Sequence, residues 1–216
     1  MDHRQMISHE VLDYLEEVFN IGAGNVAVGL SQLLGCEVNM KIPRVHIVES
    51  MEELQVDQEI SSPLSGAVMS MVGDINGDIF FLIPEDTATA LMRHMEKTYP
   101  FSDADVTEQE SKDLENSVVL EVGNMVVGVY LTAMGRVSNL NIYHTVPKMV
   151  KGDIRSILKQ RLPQMADEGV ACISVMNEFS ITGAHIQSKS LIVTQTRDMA
   201  PLMNSIDSAR EMMKGS

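Results

Sequence analysis

The feature that most constrains this chain is a polar pattern that occurs twice in register. Asp13, Glu17, Asn20 and Gly24 lie within DYLEEVFNIGAGNVAVGLSQLLG, and Ser117, Glu121, Asn124 and Gly128 lie within SVVLEVGNMVVGVYLTAMG. Each member of the second set stands 104 residues after its counterpart. A period this long is a duplication of a folding unit, not a solenoid of short repeats. The order of elements repeats as well. A long helix over residues 8–34, with Ser8 as N-cap and Gly35 as C-cap, is followed by a strand over 37–50 broken at Pro43. Strands over 65–75 and 77–84 then meet at Asn76-Gly77, a tight-turn signal, and a helix covers 85–99.

The second copy opens with an acidic stretch in which Thr107 and Glu110 have capping-box spacing. Its helix runs to about Met134, with Gly135 after it. A strand over 139–147, a short helix over 152–163 ending at Pro163, a hairpin around Thr182-Gly183 and a C-terminal helix complete the unit. FFLIPEDTATALM and LIVTQTRDMAPLM align at an offset of 111, so the second copy holds a slightly longer insert. The linker between the copies is short and acidic. Three strands per copy make a small sheet alone and a six-stranded sheet together. The expectation is therefore one pseudo-twofold α+β domain over 1–216, with repeat one at 8–99 and repeat two at 107–214 and long helices on the sheet.

At 100° per residue, Asp13, Glu17, Asn20 and Gly24 fall on one helical stripe. Leu12, Leu15, Phe19, Val26, Leu30 and Leu33 cluster on another, which predicts that the acid–amide stripe faces outward. The second helix is apolar nearly all round, and Ser117, Glu121 and Asn124 form its polar gap. Burying a Glu or Asn without a partner costs a few kcal/mol, so their place in such a helix calls for a reason. Gly22, Gly24, Gly123 and Gly128 each cost about 1 kcal/mol relative to Ala in a helix interior. Close packing of the two helices, or close approach of a partner protein, would account for them.

Composition narrows the function classes. The formal charge of −14 over 216 residues argues against a partner held by its phosphate backbone, so no nucleic acid is expected. The N-terminal MDHRQMISHEV lacks the apolar core of a signal peptide, and no apolar run approaches a membrane span. Two cysteines, Cys36 and Cys172, form no CxxC, which fits a reducing cytoplasm and inert core thiols. The six histidines are scattered and read as structural or surface groups, and no His, Cys or Asp cluster has metal-ligand spacing. Motifs for a P-loop, a nucleophile elbow, a dinucleotide fold or a zincin are absent.

The paired pattern, with NIGAGN at 20–25, LSQLLG at 30–35 and LEVGNMVVG at 120–128, resembles the CheC family of chemotaxis phosphatases, which includes the CheX and FliY relatives. The family motif is Asp or Ser, three residues, Glu, two residues, Asn. The resemblance spans nearly the whole chain and implies a CheC-like fold with two sites. It implies hydrolysis of the aspartyl phosphate of a CheY-like response regulator. Glu17, Asn20, Glu121 and Asn124 would be catalytic, with Asp13, Ser117, Gly24 and Gly128 in binding. The chain itself would bind no cofactor, and Mg²⁺ would sit in the regulator's own acidic site. A non-catalytic module docking a regulator, the deamidase CheD or the flagellar switch is the alternative reading. The segment KGDIRSILKQRLP at 151–163 is the one that matches the CheD-binding helix.

Overall fold

The computed structural model describes residues 9–48, 63–98, 107–159, 170–181 and 184–214. Ser8, Pro163 and the Thr182-Gly183 turn lie outside these residues. Helix α1 (His9–Leu34) leads to β1 (Val38–Met40), β2 (Arg44–Val48), β3 (Leu64–Gly73), β4 (Gly77–Pro84) and α2 (Glu85–Thr98). Helix α3 (Glu108–Ser138) then leads to β5 (Ile142–His144), β6 (Lys148–Gly152), α4 (Ile154–Lys159), β7 (Val170–Ile181), β8 (Ala184–Gln195) and, after a 3₁₀ turn, α5 (Ala200–Lys214).

One antiparallel sheet carries all eight of these strands. Its central path runs β1-β7-β8-β4-β3-β5, with β2 also on β7 and β6 also on β3. The order is symmetric about the β4–β8 pair. Phe80 stands opposite Leu191 in that pair, and the two are pseudo-equivalent at the offset of 111, so the twofold axis passes there. The edge strands are exchanged between the copies. β1 and β2 of repeat one pair with β7 of repeat two, and β5 and β6 of repeat two pair with β3 of repeat one. The count is eight and not six because the strand expected over 37–50 is two short ones and β6 lies beyond the one expected over 139–147. Pro43 separates β1 from β2, and residues 145–147 separate β5 from β6.

Alternation along the strands gives the sheet two apolar faces. Met69, Met71, Ile79, Phe81, Ile83, Val175 and Ile192 pack under α1 and α3, and Val68, Phe80, Leu82, Leu191 and Val193 pack under Ile157 and Leu158 of α4. Helices α2 and α5 flank the long pair on the first face. Helix α3 is long and apolar enough to cross a membrane by length and composition, although no single apolar run in the sequence has that length. More than half of its apolar window is buried inside the fold.

Two local expectations change. The β3–β4 connection is not an Asn-Gly two-residue turn. Gly77 already belongs to β4, residues 74–76 form the connection, and Gly73 takes the positive φ of 122°. Ile75 is buried, and the Asp74 N–H donates to the Asn141 carbonyl. A tight type I′ turn would forfeit both interactions. Helix α3 also runs one turn past Gly135, to Ser138, and is closed by Asn139 in the left-handed conformation. Gly135 serves the reversal differently. A Cβ there would stand 2.7 Å from the Leu140 carbonyl oxygen. The Thr107–Glu110 capping box is present in full, and Gly35 ends α1 at a φ of 64°.

Candidate functional site

The two long helices pack side by side in opposite directions. The ring of Phe19 meets Tyr130 edge-on at 5.0 Å and 86°. A Cβ on Gly22 would stand 2.6 Å from Tyr130 Cδ1, and one on Gly29 would stand 2.7 Å from the Met125 sulfur. Tyr130 also donates its hydroxyl to Asn177 Oδ1 on β7, and burial holds that phenol protonated well above its ordinary range. This buried tyrosine ties α1, α3 and the sheet together and sets the height at which the helix pair stands.

With the apolar stripe committed inward, the acid–amide stripe faces out. Asp13, Glu17, Asn20 and Gly24 are exposed along α1. On α3, Ser117 and Glu121 are exposed, and Asn124 and Gly128 are half-buried. Ser117 donates its hydroxyl back to the Asp113 carbonyl at 2.8 Å. The side chains of Glu17, Asn20, Glu121 and Asn124 have no hydrogen-bond or ion-pair partner among the described residues. Because the helices are antiparallel, Gly24 and Gly128 lie near the middle of the pair and the two couples lie toward opposite ends. Ten residues of helical rise place Asn20 and Asn124 roughly 15 Å apart along the pair. The structure therefore brings each Glu together with its own Asn and keeps the couples separate.

A shallow cleft opens between the helices. Its walls are Ile21, Asn25, Gly128, Val129, Thr132, Ala133, Arg136 and Val137. Ile21 and Val137 are exposed large apolar side chains at its mouth. Arg136 is an exposed cation with no ion-pair partner among the described residues.

Gly22, Gly24, Gly123 and Gly128 separate into different roles. Gly22 makes room for Tyr130, and Gly123 makes room for Ala67 and Phe81 of the sheet. Gly24 is exposed, and a Cβ there would meet nothing within 4 Å. At Gly128 a Cβ would stand 3.2 Å from His144 Nε2. Sequence reasoning assigned His144 no special place. It comes beside the stripe through the pairing of β5 with β3, a long-range contact that no local pattern signals.

Elsewhere the structure shows a charge cluster at one sheet edge. Glu178 on β7 accepts from Lys41 Nζ at 2.6 Å and Arg44 at 3.0 Å, with His185 Nε2 at 3.5 Å. The hydrogen bond from Lys41, and then the charges of Lys41, Arg44 and His185, hold the Glu178 carboxyl below its ordinary range. Among the described residues no group of three or more His, Cys, Asp and Glu could hold a metal ion. Both cysteines are free. Cys36 sits in the bend after α1, and desolvation pushes the Cys172 thiol up to about 12.

Residues 65–166 match the family model described as chemotaxis phosphatase CheX. The chain is 28% identical over 169 residues to the CheY-P phosphatase CheC of Bacillus subtilis, covering 78% of this chain and 79% of that protein. Among solved structures it is similar to Thermotoga maritima FliY, with a TM-score of 0.66 and 17% identity over 93% of this chain and 98% of that one. A chain of the CheX–CheY–BeF₃–Mg²⁺ complex of Borrelia burgdorferi matches with a TM-score of 0.51 and 19% identity, covering 83% of this chain and 97% of that one. The fold is that of the CheC, CheX and FliY proteins.

Proposed function

We propose, for a chain related to the CheC, CheX and FliY proteins, that it hydrolyses the aspartyl phosphate of a CheY-like response regulator in the cytoplasm. The observation that carries this reading is the pair of Glu–Asn couples standing on the outward face of α1 and α3 with no partner for their polar heads among the described residues. The similarity to a protein named as a CheY-P phosphatase supports it.

The chemistry suits these residue types. An acyl phosphate is intrinsically reactive toward water, so catalysis is mainly a matter of positioning. The amide of Asn20 or Asn124 offers one acceptor and two donors, enough to hold a water in line with the phosphorus without acting as a base. The carboxylate of Glu17 or Glu121 pairs with a lysine beside the regulator's phosphorylation site and fixes the docking angle. Asp13 and Ser117 border the contact. Gly24 leaves the helix surface low where the regulator's backbone approaches, and Gly128 borders the second contact beside His144. Mg²⁺ stays in the regulator's own acidic pocket. A binding module that docks a regulator, CheD or the flagellar switch without turnover is the competing reading, and the likeness to FliY favours keeping it in the test.

Replacing Asn20 and Asn124 together with Ala separates the two. Hydrolysis by this route requires dephosphorylation to fall to the regulator's unaided rate while regulator binding, measured with the non-hydrolysable beryllofluoride form, stays within about threefold of the parent. Undiminished dephosphorylation by that variant would remove the asparagines from the mechanism.

A further inference from the structure

The two copies of the site are not chemically alike. Met40 and His144 are the last residues of β1 and β5. Met40 pairs with Phe179 and the next residue, Lys41, donates its N–H to the Glu178 carbonyl at 2.9 Å. His144 pairs with Met71 and the next residue, Thr145, donates its N–H to the Ser70 carbonyl at 3.0 Å. The two positions also stand at the same offset of 104. Yet the side chains end in different places. Nothing approaches a Cβ at Gly24, while His144 Nε2 stands 3.2 Å from one at Gly128.

The imidazole is held there firmly. Its Nδ1 lies 3.0 Å from the Thr145 carbonyl, which makes Nδ1 the protonated nitrogen and turns Nε2 toward α3. Thr145 is itself fastened by a second bond, from the Ser70 N–H to its Oγ1 at 3.0 Å. Gly128 is one turn from Asn124 on the same stripe, so Nε2 comes within about a turn of that amide. The charged groups around it are few. On α3, Glu121 and Arg136 bracket Gly128, β3 has none within Leu64–Gly73, Asp74 is held by Asn141, Asp78 is bonded to Ser70, and Lys148 begins β6. The cleft on the side of the first couple carries the guanidinium of Arg136.

We infer that His144 is a specificity-determining residue of the second site, which makes the Glu121–Asn124 couple favour an anionic, phosphoryl-bearing partner surface as the pH falls while the Glu17–Asn20 couple does not respond. This rests on the docking face proposed above. Protonation of an imidazole adds a positive charge. A charged imidazole beside the stripe attracts the net negative face of a phosphorylated receiver domain, and a thioether at the equivalent place does not.

The test uses the full chain with one couple disabled at a time, E17A/N20A leaving the second site and E121A/N124A leaving the first. The probe is a CheY-like receiver domain from the same organism, held active with beryllofluoride and Mg²⁺. Its affinity is measured at pH 6 and pH 8, and the ratio between the two variants cancels the receiver's own pH response. The second-site variant is expected to gain at least about threefold relative to the first-site variant at pH 6. His144→Met, which copies Met40, should remove that gain, and His144→Lys should keep the higher affinity at both pH values. A ratio that does not move with pH, or a gain that survives His144→Met, overturns the inference. Loss of catalysis in both variants with the pH-dependent affinity intact would strike only the hydrolytic reading.

Discussion

Gly22 and Gly24 are two positions apart on one helix and do opposite things. Gly22 is buried against Tyr130, so Gly22→Ala forces the ring or the helix to move and should destabilise by about 1–3 kcal/mol. Gly24 has open space around it, so Gly24→Ala should raise the denaturant midpoint, by up to about 1 kcal/mol in stability, through helix propensity alone. Under the proposed docking the same substitution should weaken dephosphorylation by the first site, because a methyl group would then stand where the regulator's backbone is proposed to approach. Urea titration beside a phosphoryl-decay assay reads both effects. A Gly24→Ala protein that is more stable and fully active would show that nothing comes close there. The outward aim of Glu17 and Asn20 was legible from helical periodicity, because the apolar stripe commits the opposite face. The difference between Gly22 and Gly24 was not, because it depends on which residues of α3 lie opposite. His144 escaped for the same reason.

At the scale of elements, the helices followed from local pattern and the turns did not. Thr107 and Glu110 announce the start of α3, since both halves of the capping box lie within four residues. Its end at Asn139, and the Asp74–Asn76 connection in place of an Asn-Gly turn, are set by the meeting of those two loops through Asp74 and Asn141. Edge strands depend on similar long-range fastening. Glu178 joins Lys41 and Arg44, on either side of Pro43, to β7. Its carboxyl is held below the range it has in an unfolded chain, so the contribution is present above that unfolded value and is lost as pH falls through the folded one. Glu178→Gln should therefore lower stability by about 0.5–1 kcal/mol at pH 7, with the gap from the parent closing as acid protonates the parent's carboxylate. Chemical denaturation at pH 7 and at pH 4 measures the difference. A gap that widens in acid would contradict this assignment.

For the whole molecule, self-similarity revealed two copies of a unit and the order of elements within each. It could not reveal that the copies trade edge strands, because pairing β1 and β2 with β7 or with β3 satisfies the same alternation of apolar residues. The exchange has a consequence for folding. Residues 8–99 alone lack the strand on which β1 and β2 lie, so that fragment should not give a stable folded monomer, and the intact chain should unfold in one cooperative transition. Coincident circular-dichroism and fluorescence transitions would agree, whereas a well-dispersed amide spectrum from the monomeric fragment would not. The same symmetry places the two couples toward opposite ends of one helix pair, so under the proposed function a single surface would offer two docking positions related by the twofold axis.

The most direct test is the lifetime of a phosphorylated CheY-like regulator, followed by loss of radiolabelled phosphate in the presence of micromolar protein. The intact chain should shorten that lifetime severalfold or more, and the chain with Glu17, Asn20, Glu121 and Asn124 all changed to Ala should leave it at the unaided value. A lifetime unaltered by the intact chain, or shortened equally by the quadruple variant, would contradict the account.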